Sequence, residues 1–161
     1  MFETDIQCLA EKAVAALIAR SLSLATAESC TGGLIAAAIT EVPGASRAFR
    51  YGWVTYCNAA KIQELAVPPE LIARHTVVSE PVVCAMASAA LRKARADFAL
   101  AVSGNAGPTA AANEPPVGTV CIALASLSGC QAITLFRSGL SRGDFRRMVV
   151  RESLQLLIAE L

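Results

Sequence analysis

The chain has 161 residues, enough for one domain with a substantial core and too few for two. A formal net charge of +1 supplies no global field to draw it to nucleic acid or a membrane surface. No run of about 18 continuous apolar residues exists to span a membrane, and the acidic start MFETDIQCLAEKAV is not a signal peptide, so a cytoplasmic location is expected.

The composition is 55% apolar, with few aromatics and much alanine, which favours helices packed closely on a sheet. Six cysteines stand at 8, 30, 57, 84, 121 and 130, with no C-x-x-C pair and mostly inside apolar runs. They are expected as buried free thiols. The one histidine, His75, has no neighbouring ligand, so neither a metal nor a cofactor is expected.

In chain order, Thr4 to Arg20 reads as a helix, with capping-box spacing at Thr4 and Gln7 and one face formed by Ile6, Leu9, Ala10, Ala13 and Leu17. Leu22 to Ala27 predicts a strand that enters AESCTGG. Leu34 to Thr40, apolar all round, predicts a buried helix that Val42-Pro43-Gly44 ends. Phe49 to Cys57 is rich in strand formers, with Phe49, Tyr51, Trp53 and Thr55 on one face. Short helices follow at Asn58 to Leu65 and Glu70 to Arg74, separated by Pro68-Pro69. Ser79 is an N-cap candidate for a long alanine-rich helix to Arg95. Phe98 to Val102 is an apolar strand running into SGNAGP, and Thr109 to Pro116 a loop. Val117 to Ala125 and Gln131 to Arg137 form a hairpin, and Gly143 to Leu161 a final helix. Alternating strands and helices without repeat or linker imply an α/β fold in a single domain, 1–161.

Ligands in such sheets sit beyond the carboxyl ends of the strands. Three loops belong there if the preceding strands are parallel: Glu28 to Gly33, Tyr56 to Lys61 and Ser103 to Pro108. In the first, Ser29 or Cys30 is a candidate nucleophile, and Gly32 and Gly33 give a ligand close access to backbone N–H groups. Ser29 or Thr31 capping the next helix is the simpler use of the same residues. In the second, Lys61 would act as base if desolvation removed its proton, and otherwise is a solvated surface lysine. Tyr56 would orient either partner or relay a proton. In the third, Ser103 and Gly104 open a loop whose amides can hold an anion. Arg142 and Arg146 lie on the apolar stripe of the last helix, within reach of a ligand phosphate, while Arg147 and Arg151 are expected to one side in water.

Together AESCTGGLIAAAITEVPGAS, GWVTYCNAAK, VSEPVV, AVSGNAGP and PVGTV resemble, in order, the CinA C-terminal domain family of nicotinamide-nucleotide amidases. The resemblance spans roughly residues 20 to 125, and the flanking helices also fit. It implies a three-layer α/β/α sandwich with a mixed, mostly parallel sheet of about five strands. It also implies hydrolysis of nicotinamide mononucleotide to nicotinic acid mononucleotide and ammonia, in pyridine nucleotide salvage. Carried over by residue, the nucleophile is Ser29, the base Lys61 and the proton-handling tyrosine Tyr56. The expected substrate-binding set is Thr31, Gly32, Gly33, Asn58, Ser103, Gly104, Arg142 and Arg146. The partner is then a small molecule, a pyridine mononucleotide, and apolar helix surface leaves room for a homo-oligomer.

Three stretches depart from the family pattern. Asn105 stands where members carry isoleucine, Pro115 replaces a lysine in TAAANEPPVGTV, and Leu140-Ser141-Arg142 replaces G-D-R. Alanines for glycines in the 109–115 loop withdraw positive-φ conformations. These changes leave two other readings open: a catalytically silent nucleotide-binding paralogue, and an amidase for another small carboxamide. Larger members carry an N-terminal nucleotide pyrophosphatase-like domain with no counterpart here, so its metal and activity are not carried over.

Overall fold

The computed structural model describes residues 2–161. Its helices are α1 Thr4–Ala19, α2 Leu34–Thr40, α3 Asn58–Leu65, α4 Pro69–His75, α5 Glu80–Ala94 and α6 Arg142–Glu160. Its strands are β1 Leu24–Glu28, β2 Phe49–Val54, β3 Phe98–Gly104, β4 Thr119–Ser126 and β5 Gly129–Phe136. The strands form one sheet in the order β2-β1-β3-β4-β5. β2, β1 and β3 are parallel, and β4 pairs antiparallel with both β3 and β5. All strands but β4 therefore point the same way.

Alternation along the strands sorts the core into two layers. Leu24, Leu100, Val102, Ile122 and Leu124 face α1, α2 and α6. On the other face Ala25, Ala27, Ala99, Ala101, Ala123 and Ala125 meet Ala87, Ala90, Val83 and Met86 of α5. Alanine on both sides lets α5 lie close against the sheet. The three-layer α/β/α sandwich is thus assembled by side-chain size as well as by polarity.

Several local expectations are corrected. The first helix is capped at Glu3 without a side-chain bond, so the Thr4–Gln7 capping box does not form. Ser79 occupies the N-cap position of α5, but its Oγ donates backward to Thr76 O at 2.8 Å. β1 starts at Leu24, because the Leu22 amide is taken by Leu17 O in the exit turn of α1. α2 is not buried all round; Ala37 and Thr40 face outward. β2 ends at Val54 because β1, its only ladder partner, stops at Glu28.

The single-face reading of β2 also fails. The register shifts between Leu24 and Ala25, which pair with Phe49 and Tyr51. This bulge at Arg50 turns the face over. Phe49 packs with the α1–α2–α6 layer and Trp53 with the α5 layer, stacked on Tyr51 at 5.3 Å between centroids.

The chain leaves β1 through α2 on one face of the sheet and leaves β2 through α3–α5 on the other. Connections that part in this way open a crevice between the carboxyl ends of neighbouring strands. The loops after β1, β2 and β3 all reach that edge, as the sequence predicts.

Candidate active site

At the crevice Ser29 directly follows β1, held by its amide to Val102 O at 3.1 Å. Lys61 reaches in from the first turn of α3 and is 1% exposed. Its Nζ lies 3.0 Å from Ser29 Oγ and 2.7 Å from Thr55 O. The solvated-lysine alternative is thereby excluded. Burial lowers the Lys61 pKa to about 8, against the opposing pull of the Cys57 and Cys30 thiols and the Glu114 charge. Cys30 is driven the other way, up to about 12, first by burial and then by the charge of Glu28. Its thiol stays protonated, so of the two candidates only Ser29 has a base at hand.

A cleft of about 240 Å³ opens over this pair, lined by Ser29, Cys30, Tyr56, Asn58, Lys61, Val77, Val78, Ser103, Gly104, Asn105, Ala106 and Arg142. The structure thus brings together Ser29, Lys61, Tyr56, Asn58, Ser103, Gly104 and Arg142 from the expected set. Arg142 is the first residue of α6, whose start is fixed by Ser141 Oγ accepting from the Asp144 amide at 3.1 Å. Its guanidinium donates to Gly107 O at 2.7 Å and to Tyr56 Oη at 2.6 Å.

Thr31, Gly32, Gly33 and Arg146 do not line the cleft. Arg146 donates to Thr31 O at 2.6 Å and props the loop from behind. A Cβ at Gly32, where φ is +60°, would come within 3.2 Å of that guanidinium. Arg147 and Arg151, expected in water, are half-buried in ion pairs with Glu3 and Asp5 that tie α6 to the start of α1, and Arg147 also pairs with Asp144 within α6.

The residue that sequence reasoning missed is Glu28. Its carboxylate is 1% exposed and accepts from Thr31 Oγ1 at 2.6 Å and from the amides of Gly33, Ile35 and Ala36 at 3.1, 3.0 and 2.8 Å. Gly33, with φ of +95°, turns its amide back to reach it. Neither Ser29 nor Thr31 caps α2; Glu28 does so from the preceding strand. The donors at the α2 start are therefore spent, and the Gly32 amide is bonded to Ser29 O. Among the described residues the amides of Cys30 and Thr31 reach no backbone carbonyl and only the Cys30 sulfur lies against them, so the candidate oxyanion donors contract to these two from the expected Cys30–Gly33. The readable signal was a lone carboxylate closing an apolar strand, with a hydroxyl three residues on and a glycine five on.

Two of the positions expected to depart from the family pattern touch each other. Asn105 Nδ2 donates to Pro115 O at 3.2 Å, and its Oδ1 accepts from the Gly107 amide at 3.0 Å. One asparagine so braces its own loop and fastens the 109–116 loop, a tie no isoleucine can make.

Among the described residues no group of three or more His, Cys, Asp or Glu side chains is placed to hold a metal, and no helix is long and apolar enough to cross a membrane. The expectation of buried thiols holds for Cys30 and Cys121 only; Cys8, Cys57 and Cys130 are exposed and Cys84 is half-buried.

A hydroxyl held by a desolvated amine beside backbone amides that no carbonyl engages is an arrangement suited to acyl transfer. The profile of the CinA C-terminal domain matches residues 6–161, and the chain belongs to that family. It is 45% identical over 159 residues to the nicotinamide-nucleotide amidohydrolase PncC of Shigella flexneri, covering 98% of this chain and 95% of that protein. It is 50% identical over 149 residues to a CinA-like protein of Akkermansia muciniphila, covering 92% of this chain but 36% of that protein. The chain thus spans about a third of one relative and nearly all of the other. The crystal structure of the competence/damage inducible protein CihA from Agrobacterium tumefaciens superposes with a TM-score of 0.95 at 39% identity, covering 99% of this chain and 97% of that one.

Proposed function

We propose that this protein hydrolyses the carboxamide of nicotinamide mononucleotide, releasing nicotinic acid mononucleotide and ammonia through an acyl-enzyme on Ser29. The observation that carries the reading is the buried contact of 3.0 Å between Lys61 Nζ and Ser29 Oγ. The naming of the Shigella flexneri relative supports the choice of substrate.

With Lys61 neutral, its lone pair accepts the Ser29 proton while one N–H still donates to Thr55 O. Ser29 Oγ attacks the carboxamide carbon, and the carbonyl electrons move onto oxygen, where the Cys30 and Thr31 amides receive them. As the tetrahedral species collapses, the C–N bond breaks and Lys61 returns its proton to the leaving nitrogen, giving ammonia. A water then attacks the ester, gives its proton to Lys61 and forms the acid, and Ser29 is reprotonated. Arg142 donates to the Tyr56 oxygen, so the Tyr56 hydroxyl proton is free for the substrate. The remaining Arg142 N–H groups serve the substrate phosphate. Thr31, Gly32, Gly33 and Arg146 act indirectly, by fixing the loop that carries Ser29.

Ammonia release from nicotinamide mononucleotide tests the reading. Wild type should release it; Ser29→Ala and Lys61→Ala should fall by at least about a thousandfold, the scale seen when a nucleophile or its base is removed. The tied 105 and 109–116 loops supply a second reading, narrower in scope. Turnover of only a different small carboxamide would move the substrate assignment, and binding without turnover would make the chain a silent nucleotide binder.

A further inference from the structure

Beside the catalytic cleft lies a second hollow of about 360 Å³. The two share Asn58. Ile62, Pro69, Ile72 and Ala73 give the second hollow an apolar wall, and Glu114 stands on its other side. Glu114 is half-buried, and its Oε2 is sealed from solvent without a hydrogen-bond donor. Among the described residues no ion pair within 4 Å engages it, although its charge is felt at Lys61. A turn from its amide to Ala111 O at 3.0 Å and the Asn105 tie to Pro115 hold it in place.

The other carboxylate near the site, Glu28, is saturated by four donors and buried behind the loop. Glu114 is different: a carboxylate beside an apolar wall with unused acceptor capacity. Such a group is destabilising until a cation or donors meet it. Neither of the cleft's own cations bonds to it: Lys61 Nζ is directed to Ser29 and Thr55, and Arg142 to Gly107 and Tyr56.

We propose that Glu114 is the counter-charge for a cationic ring, making the site selective for carboxamides carried on an N-substituted pyridinium over those on a neutral ring. This rests on the reading above, because it places the carboxamide at Ser29 and the ring beside it. The nitrogen of an N-glycosylated pyridine carries a permanent positive charge, so the recognition does not titrate with the ligand. A ring bonded directly to a carboxamide at Ser29 lies in the cleft next to this hollow, where Glu114 acts on its charge through space, as it does on Lys61, more strongly than in water. The selection also has chemical sense, since a cationic ring withdraws electrons from the carboxamide carbon that Ser29 attacks.

The test compares nicotinamide mononucleotide with its dihydro form, which keeps the carboxamide, ribose and phosphate but has an uncharged ring. Binding is measured calorimetrically on Ser29→Ala protein, where no turnover intervenes, with and without Glu114→Gln. The oxidised ligand should lose roughly tenfold in affinity on Glu114→Gln, equivalent to about 1.4 kcal/mol. The dihydro form should change less than about twofold, and its retained binding also shows that the variant is folded. Equal weakening of both ligands, or of neither, overturns the proposal while leaving the amidase reading intact. If wild-type protein releases no ammonia from nicotinamide mononucleotide, the amidase reading fails and takes this proposal with it.

Discussion

Lys61 gives the sharpest quantitative test. Burial brings its pKa from 10.5 to about 8, which raises the neutral fraction at pH 7 roughly 300-fold, to about one-tenth of the molecules. If the neutral amine is the base, kcat/KM on nicotinamide mononucleotide should fall tenfold per pH unit below a midpoint near 8. The substrate phosphate titrates near pH ~6, about two units lower, so the two limbs separate. Ammonia release measured between pH 5.5 and 9.5 (a range of roughly four units, spanning both groups) reads the profile directly. The same shift has a consequence for stability. The folded pKa is depressed, so between pH 8 and 10.5 the unfolded chain holds a proton that the folded chain has shed. Stability should therefore rise with pH across that window, by up to roughly 3 kcal/mol. Lys61→Met removes the titrating group. Urea unfolding should accordingly show wild type gaining on this variant from pH 8 upward, while the variant is inactive at every pH. A flat rate profile from pH 6 to 9 (roughly the three units around the midpoint), or a stability difference that does not change with pH, would refute the argument.

Glu28→Ala leaves the Gly33 amide, two α2 amides and the Thr31 hydroxyl without their acceptor. At about 1–3 kcal/mol for each stranded buried donor, urea unfolding should show a loss of several kcal/mol, and a loss under about 1 would mean that water replaces the carboxylate. Cys84 and Cys130 place their sulfurs 3.0 Å apart between α5 and β5. Oxidised glutathione should convert them to an intramolecular disulfide, releasing two reduced glutathiones and lowering the protein mass by two hydrogens. Cys84→Ser should abolish that bridge, read by peptide mapping; a persistent glutathione adduct on Cys84 or Cys130 of wild type instead would show that the two sulfurs cannot meet.

The sequence by itself specified the α/β alternation, the order of the elements and the three loops at one sheet edge. Hydrophobic periodicity and turn residues are local properties, and AESCTGG with Y-x-N-x-x-K marks the family. Alanine richness also spoke correctly for a helix lying close on the sheet. The tertiary structure alone decided which hydroxyl, amine and amides meet. Ser29 and Lys61 are 32 residues apart and come together only through the parting of the connections after β1 and β2. Arg142 and Arg146 look equivalent on a helical wheel, yet one reaches Gly107 and Tyr56 at the cleft and the other Thr31 O behind the loop, because they stand about one helical turn apart along α6. The bulge at Arg50 turned a strand face that period-two counting could not follow. Glu28 reads as one polar residue among several until a left-handed turn at Gly33 folds the helix amides back onto it. Partners of this kind are fixed by burial and long-range register, neither of which any short window of residues contains.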